Sequence, residues 1–246
     1  MLPEITQEEL SAALDAVVME VLQEAGIDRP PVDAMAITRR FGITVAQDDR
    51  QRGRARYVRL RGTGGRKPSP TILLRPEPRR ERRQWAVAHE IGEHVAHRVF
   101  DRLLVDPREA APKARERVAT DLATRLLLPG PWFAIDAPAC GWDLPGLKSR
   151  YTTASHELIA RRMLDLATPV IVTIFDHGQL SFRRSNVPGR VPPPSSVEMA
   201  CWRTVHAHAR AHRSSEGSQT TQAWPVHEPG WKREILRTEV EFETVS

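Results

Sequence analysis

The residues best suited to chemistry lie in one short segment, Ala88–His97, which carries three histidines and two glutamates. It nearly fits the pattern H-E-x-x-H, in which two histidines bind zinc and the glutamate acts as the general base. Glu93 stands where the second histidine of that pattern would be. Residues i and i+4 lie about 40° apart on one helical face. The spacing therefore predicts His89 and Glu93 as metal ligands, since carboxylates also bind Zn²⁺, and Glu90 as the catalytic base.

Two further histidines are less well placed to share that ion. His94 follows His89 by five residues, which places it about 140° round the helix. His97 returns to nearly the same face, but about 12 Å along the helix axis. We therefore treat His94 and His97 only as secondary candidates, for stabilising an oxyanion. The alternative for the main pair is that His89 and Glu93 form an ordinary surface pair without function.

A third ligand is needed, because an open catalytic zinc site uses three protein ligands and a water molecule. Glu116 is the best candidate. It lies near the start of the next predicted helix, over residues 113–128, and helices joined by a short connection usually pack antiparallel. The alternative is that Glu116 only stabilises a helix N-terminus, where a carboxylate is favoured in any case.

The two helices together resemble those of ImmA/IrrE-type metallopeptidases. Residues Trp85–Gly92 fit the first part of the family's aromatic-x-x-Ala-His-Glu-x-Gly-His helix. The family's second helix, Glu-x-x-Ala-Asn-x-Phe-Ala-x-x-Leu-Leu-x-Pro, is matched in register by Glu116, Ala119, Ala123, Leu126, Leu127 and Pro129. Thr120 and Leu122 stand where Asn and Phe are usual. The resemblance extends over residues 20–165.

This resemblance implies a zincin-like metallopeptidase in which His89 and Glu116 hold zinc and Glu90 activates water. Glu93 then replaces the second motif histidine. Two carboxylates cancel more of the ion's charge than one carboxylate would, so the ion becomes a weaker Lewis acid. The expected cofactor is Zn²⁺, and the harder ligand set also suits Mn²⁺ or Fe²⁺.

The resemblance also implies a protein substrate, a helix-turn-helix repressor or antitoxin that is cleaved in a stress response or on a mobile element. Two other functions remain open. The first is direct transcriptional regulation through DNA binding, with Arg150, Arg161 and Arg162 near phosphates. The second is a catalytically inactive regulator that has kept the fold but not the reaction.

The sequence predicts an α+β protein with three parts. Residues 1–135 form a mainly helical, zincin-like metallopeptidase domain with a small β-sheet, and residues 136–168 form a helical, helix-turn-helix-like segment. Residues 169–246 form a small α+β C-terminal unit. In this unit we predict a hairpin around residue 177, a helix over 197–212, a polar loop over 213–222 and a strand over 232–242.

Composition and charge narrow the class of protein. The 246 residues are 40% hydrophobic and 27% charged, as in a soluble globular protein. The longest apolar run, residues 169–175, is too short to cross a membrane. No signal peptide is evident, and two cysteines without a C-x-x-C pattern suggest a reducing, cytoplasmic setting.

A basic stretch from Arg50 to Arg83 holds 13 basic and two acidic residues, although the net charge of the chain is only +5. We interpret it as a solvated surface hairpin, with strands at 55–60 and 71–74 joined by a turn at 62–70. The alternative is a surface that attracts nucleic acid or an acidic protein segment.

Overall fold

The computed structural model describes residues 5–60 and 68–240. The chain divides into two compact units. The first contains residues up to 141 together with 146–155, and the second contains 142–145 together with the chain from 156 onward. The fold is α+β, as predicted. None of the helices in the described part of the chain has both the length and the apolar character needed to cross a membrane.

The first unit begins with two helices, α1 (Gln7–Ala25) and α2 (Ala34–Arg40). A capping box starts α1, because Thr6 accepts a hydrogen bond from the Glu9 backbone and the Glu9 side chain bonds back to Thr6. Gly26 ends the helix in the left-handed conformation. One face of α1 is buried and packs against α3 and α4, the two helices that carry the candidate site.

A three-stranded sheet follows, formed by β1 (Thr44–Gln47), β2 (Ala55–Leu60) and β3 (Ser69–Leu74). The strand order is β1-β3-β2. β3 pairs in parallel with β1 and in antiparallel with β2, so β2 lies at an edge of the sheet. The predicted turn at 62–70 falls mainly on residues 61–67, which lie outside the described residues.

Two long helices come next, α3 (Arg80–Arg102) and α4 (Pro112–Leu127), which pack closely on one another. The bounds of α4 agree to within one residue with the helix predicted over 113–128. A helix that the sequence analysis did not anticipate, α5 (Gly130–Ala139), starts directly afterwards. Proline is tolerated in the first turn of a helix, where its missing N–H costs nothing. The same prolines that end α4 therefore also begin α5.

The boundary between the units passes through α6 (Leu144–Arg150). The second unit then continues with α7 (His156–Arg162) and a short 3₁₀ helix at Met163–Asp165. Its sheet contains β4 (Val170–Asp176), β5 (Gln179–Ser185), β6 (His212–Glu216), β7 (Gln219–Glu228) and β8 (Trp231–Val240). The order β5-β4-β8-β7-β6 is antiparallel throughout.

The helix α8 (Ser196–His208) packs on this sheet. A cluster of buried residues joins them: Phe175, Cys201, Val205, Ala223 and Leu236. The predicted helix over 197–212 is four residues too long, because Ala209 adopts a left-handed conformation and ends it. Cys201 and Cys140, the two cysteines of the chain, form no disulfide.

The predicted polar loop over 213–222 is wrong. These residues form β6 and the start of β7, joined at Gly217, which has a φ of 57°. The strand β6 lies at the sheet edge and is largely exposed, so polar side chains occupy it without cost. A buried face would have produced an alternating apolar pattern, and β6 has none.

Candidate metal centre

The helix α3 carries three of the candidate site residues, and its close packing on α4 brings up the fourth. Gly92 makes this approach possible. A Cβ atom at that position would lie 2.6 Å from the backbone oxygen of Ala119 on α4, closer than any carbon side chain tolerates. Glycine is therefore required where the two helices touch. On α3 this contact lies one residue before Glu93, and on α4, at Ala119, it lies three residues after Glu116.

The ligand atoms of His89, Glu93 and Glu116 converge. His89 Nε2 lies 3.3 Å from Glu116 Oε1 and 3.8 Å from Glu93 Oε1, and all three ligand atoms lie within 4.8 Å of one another. An ion about 2.0–2.2 Å from each donor places the donors roughly 3–4 Å apart. Among residues 5–60 and 68–240, this is the one group of three or more such side chains that meets this spacing.

The chemistry of the donor set also suits a divalent cation. Within the described residues, neither Glu93 nor Glu116 has an arginine or lysine partner, and His89 is the basic side chain that contacts both. Two carboxylates held together without a cation repel each other. The side chain of His89 is 18% exposed, whereas those of Glu93 and Glu116 are 46% and 62% exposed, so the group is open to solvent on one side.

Glu90 is not one of the three converging side chains, but it lies close enough to Glu93 and Glu116 for their charges to act on it. Its residue is buried, and its Oε2 accepts a hydrogen bond of 2.6 Å from the backbone N–H of Tyr57 on β2. Burial raises the pKa of Glu90 to about 7. Repulsion from Glu93 and Glu116 adds to this rise, and the Tyr57 hydrogen bond opposes it. A carboxyl group with a pKa near neutral pH is suited to accepting and returning a proton.

The Tyr57 hydrogen bond was missed by the sequence analysis. The strand at 55–60 was predicted, but no residue pattern indicates which backbone N–H will face α3. The register of β2 on β3 decides this. The strand β2 lies at the edge of its sheet, so the backbone groups along its outer side do not pair with another strand of that sheet. The N–H of Tyr57 is one of these groups, and it donates its hydrogen bond to Glu90 instead.

The two secondary candidates lie outside the ligand group. The half-buried ring of His94 packs against the ring of Tyr57, with their centroids 5.1 Å apart. Burial lowers the pKa of His94, and the nearby positive groups lower it further. His97 is exposed, and its Nδ1 lies 3.0 Å from the backbone oxygen of His94. Neither ring is part of the group formed by His89, Glu93 and Glu116.

The three arginines considered for DNA binding are all engaged within the protein. Arg150 Nε lies 2.7 Å from Asp136 Oδ2. Arg161 pairs with Glu157 and its guanidinium lies over the ring of Phe182. Arg162 is buried and pairs with Asp165. Burial therefore closes Arg162 to a phosphate, whereas the side chains of Arg150 and Arg161 stay 58% and 45% exposed.

Comparison with models of protein families shows which family this chain belongs to. A model of the peptidase family M78, described as the IrrE N-terminal-like domain, matches residues 38–164, just over half of the chain. The chain belongs to this family. The matched region contains α3 and α4, and with them all four residues of the candidate centre. The family is one of metallopeptidases, which implies a metal cofactor and a protein substrate.

Comparison with solved structures extends the likeness of fold beyond that region. A Mycobacterium tuberculosis transcriptional regulator is similar with a TM-score of 0.66 and 19% identity, over 93% of this chain and 75% of that chain. At this identity the likeness shows the fold alone. None of the curated proteins matches the chain.

Proposed function

We propose that this chain is a metal-dependent endopeptidase that cleaves a regulatory protein. Its zincin-like domain, over residues 1–135, would hold the ion through His89, Glu93 and Glu116. One observation carries the proposal: an imidazole and two carboxylates from two helices converge to 3.3 and 3.8 Å. They do so beside a buried carboxylate and inside a match to a metallopeptidase family.

Glu90 acts as the general base. When bound, a divalent ion would polarise the scissile carbonyl and make an attacking water more acidic. Glu90 accepts a proton from that water as its oxygen bonds to the carbonyl carbon. It then returns the proton to the nitrogen of the leaving amine as the C–N bond breaks. The Tyr57 N–H holds one carboxylate oxygen in place, so the other is left for this transfer.

Glu93 tunes the metal preference of the centre. In the proposed site it occupies the place of the second motif histidine and supplies an oxygen donor where nitrogen is usual. Two carboxylates and one imidazole form a harder ligand set than two imidazoles and one carboxylate. Zn²⁺ is the proposed cofactor, and the same set accepts Mn²⁺ or Fe²⁺.

The proposed substrate is a helix-turn-helix repressor or antitoxin, whose cleavage changes transcription, as in a stress response. The family resemblance supports this choice. The description of the similar solved structure as a transcriptional regulator is compatible with it. The unit from residue 169 onward would then regulate activity or dock the substrate.

Cleavage of a helix-turn-helix regulator encoded beside this gene tests the proposal. The purified chain, supplied with Zn²⁺ or Mn²⁺, is incubated with that regulator, and fragments are identified by mass spectrometry. We expect cleavage that stops on addition of a chelator and in Glu90→Gln. The matched control is Asp101→Asn, which removes an exposed carboxylate near the other end of α3 and should cleave like the parent. Equal cleavage by Glu90→Gln would disprove the assigned base.

A regulator without hydrolytic activity is the second candidate. The description of the similar solved structure as a transcriptional regulator favours it. In this case the chain binds one metal ion and its regulator forms a stable complex with it, yet neither Zn²⁺ nor Mn²⁺ produces fragments. Salt-sensitive binding to duplex DNA with a preference for particular bases would instead favour direct DNA recognition.

A further inference from the structure

A cavity of about 250 Å³ lies in the first unit, at the point where β2 and β3 meet the start of α3. Its lining combines three arginines and one glutamate with apolar side chains. The lining residues are Arg54, Leu74, Arg75, Pro76, Glu77, Arg82 and Ala86. The cavity is therefore positively charged overall, but it has an apolar wall.

Two of the three arginines that line the cavity are not paired with an acidic side chain in the described part of the chain. Among the described residues, Arg54 and Arg75 have no carboxylate partner, and both are exposed. Arg82 Nη1 lies 3.7 Å from Glu77 Oε2. The other oxygen of Glu77 accepts a hydrogen bond of 3.0 Å from the backbone N–H of Arg79. Glu77 is thus already engaged, and two guanidinium groups remain for a ligand.

The cavity lies close to the proposed catalytic base. Ala86, in its wall, precedes Glu90 by four residues on α3, which is one helical turn or about 6 Å. Arg54 leads directly into β2, whose Tyr57 donates its N–H to Glu90. A peptide that reaches Glu90 along this side of α3 would therefore place a neighbouring side chain at the cavity.

We propose that this cavity binds an acidic side chain of the peptide substrate, so that the enzyme selects segments containing Asp or Glu. This inference rests on the proposed function for its biological meaning. A Glu side chain suits both parts of the cavity, because its methylene groups can contact Leu74 and Pro76 while its carboxylate pairs with Arg54 and Arg75.

An acidic peptide fits these observations better than a nucleic acid does. The cavity holds one or two side chains, whereas a phosphate backbone is bound along an extended groove. Under this proposal, part of the basic stretch from Arg50 to Arg83 binds an acidic side chain of the substrate.

Fluorescence anisotropy tests this inference without any need for hydrolysis. The metal-free chain is titrated against a labelled peptide with two central glutamates and against its twin with two glutamines. We expect the glutamate peptide to bind at least about tenfold more tightly, a difference of roughly 1.4 kcal/mol, and to weaken with added salt. The test variant is Arg54→Glu with Arg75→Glu, and it should lose this preference.

The control is Arg29→Glu with Arg39→Glu, which changes the net charge equally at exposed positions outside the cavity lining. It should keep the preference for the glutamate peptide, and circular dichroism establishes that both double variants fold. Equal binding of the two peptides, or equal loss in both double variants, would overturn the inference. So would tighter binding of a labelled DNA duplex that the test variant abolishes.

The two proposals can fail separately. A chain that binds the glutamate peptide but no metal would keep the acidic-peptide cavity and lose the peptidase. A chain that cleaves its regulator in a metal-dependent way but does not distinguish the two peptides would keep the peptidase and lose the cavity.

Discussion

Carboxylates are handled in opposite ways in the two units. In the first unit, Glu93 and Glu116 are 46% and 62% exposed and share a single imidazole. In the second unit, Glu198 and Glu234 have side chains that are 2% and 0% exposed, and each is surrounded by donors. In the first unit two carboxylates share one imidazole, whereas in the second each buried carboxylate has several hydrogen-bond donors around it.

The donors of the second unit can be named one by one. Glu234 accepts from Trp202 Nε1 at 3.1 Å and lies 2.9 Å from His206 Nδ1 and 2.7 Å from His227 Nε2. Glu198 pairs with Arg183, and it also accepts from Thr238 Oγ1 at 2.7 Å and from the Ser195 backbone at 2.8 Å. Because these acids are satisfied by the protein itself, they hold the sheet to α8. Acids that converge with few donors leave room for a cation.

The largest expected effect is a difference in zinc affinity between two groups of side chains. One is His89 with Glu93 and Glu116, and the other is Glu234 with its two histidines. His89→Ala removes a proposed ligand, so zinc affinity should fall by more than the roughly 10–100-fold that follows from losing a supporting residue. His206→Ala removes only a donor to Glu234 and should leave zinc affinity unchanged. Isothermal titration of both variants with Zn²⁺ checks this. Equal loss in both would show that the two groups are not different in kind.

For the free energy of unfolding we expect the reverse order, so that loss of a carboxylate matters in the second unit and not in the first. Glu198→Gln leaves the buried guanidinium of Arg183 without its charge partner, which costs about 3–5 kcal/mol in free energy of unfolding. Glu116→Gln in the metal-free chain relieves repulsion at an exposed site and should cost no stability. Urea denaturation of the two variants measures both effects. A stable Glu198→Gln variant would contradict the structural role of this pair.

The hydrogen bonds to the buried Glu198 also predict that the stability of the protein depends on pH. Burial opposes ionisation of Glu198, but the hydrogen bonds from Arg183, Ser195 and Thr238 outweigh it and lower its pKa below 4.5. The stability that this provides is present above pH 4.5 and is lost as the pH falls through the lower, folded-state pKa. Thermal melts from pH 7 to pH 3 should show this loss in the parent. If Glu198→Gln declines just as steeply, another group is responsible.

Gly92→Ala tests the packing that brings the ligands together. The added Cβ meets the Ala119 backbone at 2.6 Å, so α3 and α4 must separate, at a cost of about 1–3 kcal/mol. We expect lower stability together with weaker zinc binding. The control is Gly53→Ala, whose Cβ would make an ordinary contact of 3.5 Å. Unchanged zinc binding in Gly92→Ala would show that helix spacing does not control the centre.

The smallest effect is expected from Glu93→His. This variant restores the nitrogen donor of the H-E-x-x-H pattern, so it should keep or raise zinc affinity, by up to about tenfold, and reduce the preference for Mn²⁺. Competition between the two metals measures the change. A collapse of zinc binding would mean that position 93 does not contact the ion.

The sequence predicted the helices of the site better than the strands around it. The helical spacing of apolar residues in α3 and α4, and the positions of His89, Glu93 and Glu116 on these helices, follow from local helix geometry. They can therefore be predicted from the sequence. The hydrogen bond from Tyr57 to Glu90 depends on strand register, which no local pattern encodes. The edge strand β6 is polar on both faces, so its sequence has the pattern of a loop rather than of a strand. The buried Glu234 likewise depends on His206 and His227, which are far apart in sequence.

Metal content of the untagged, purified chain tests the central claim most directly. Inductively coupled plasma mass spectrometry of the parent, Glu116→Gln and Glu90→Gln should find about one divalent transition-metal ion per chain in the parent. We expect little or none in Glu116→Gln, and the parental amount in Glu90→Gln, whose side chain is not a ligand. A parent chain that takes up no metal even from excess Zn²⁺ or Mn²⁺ would contradict the proposed centre.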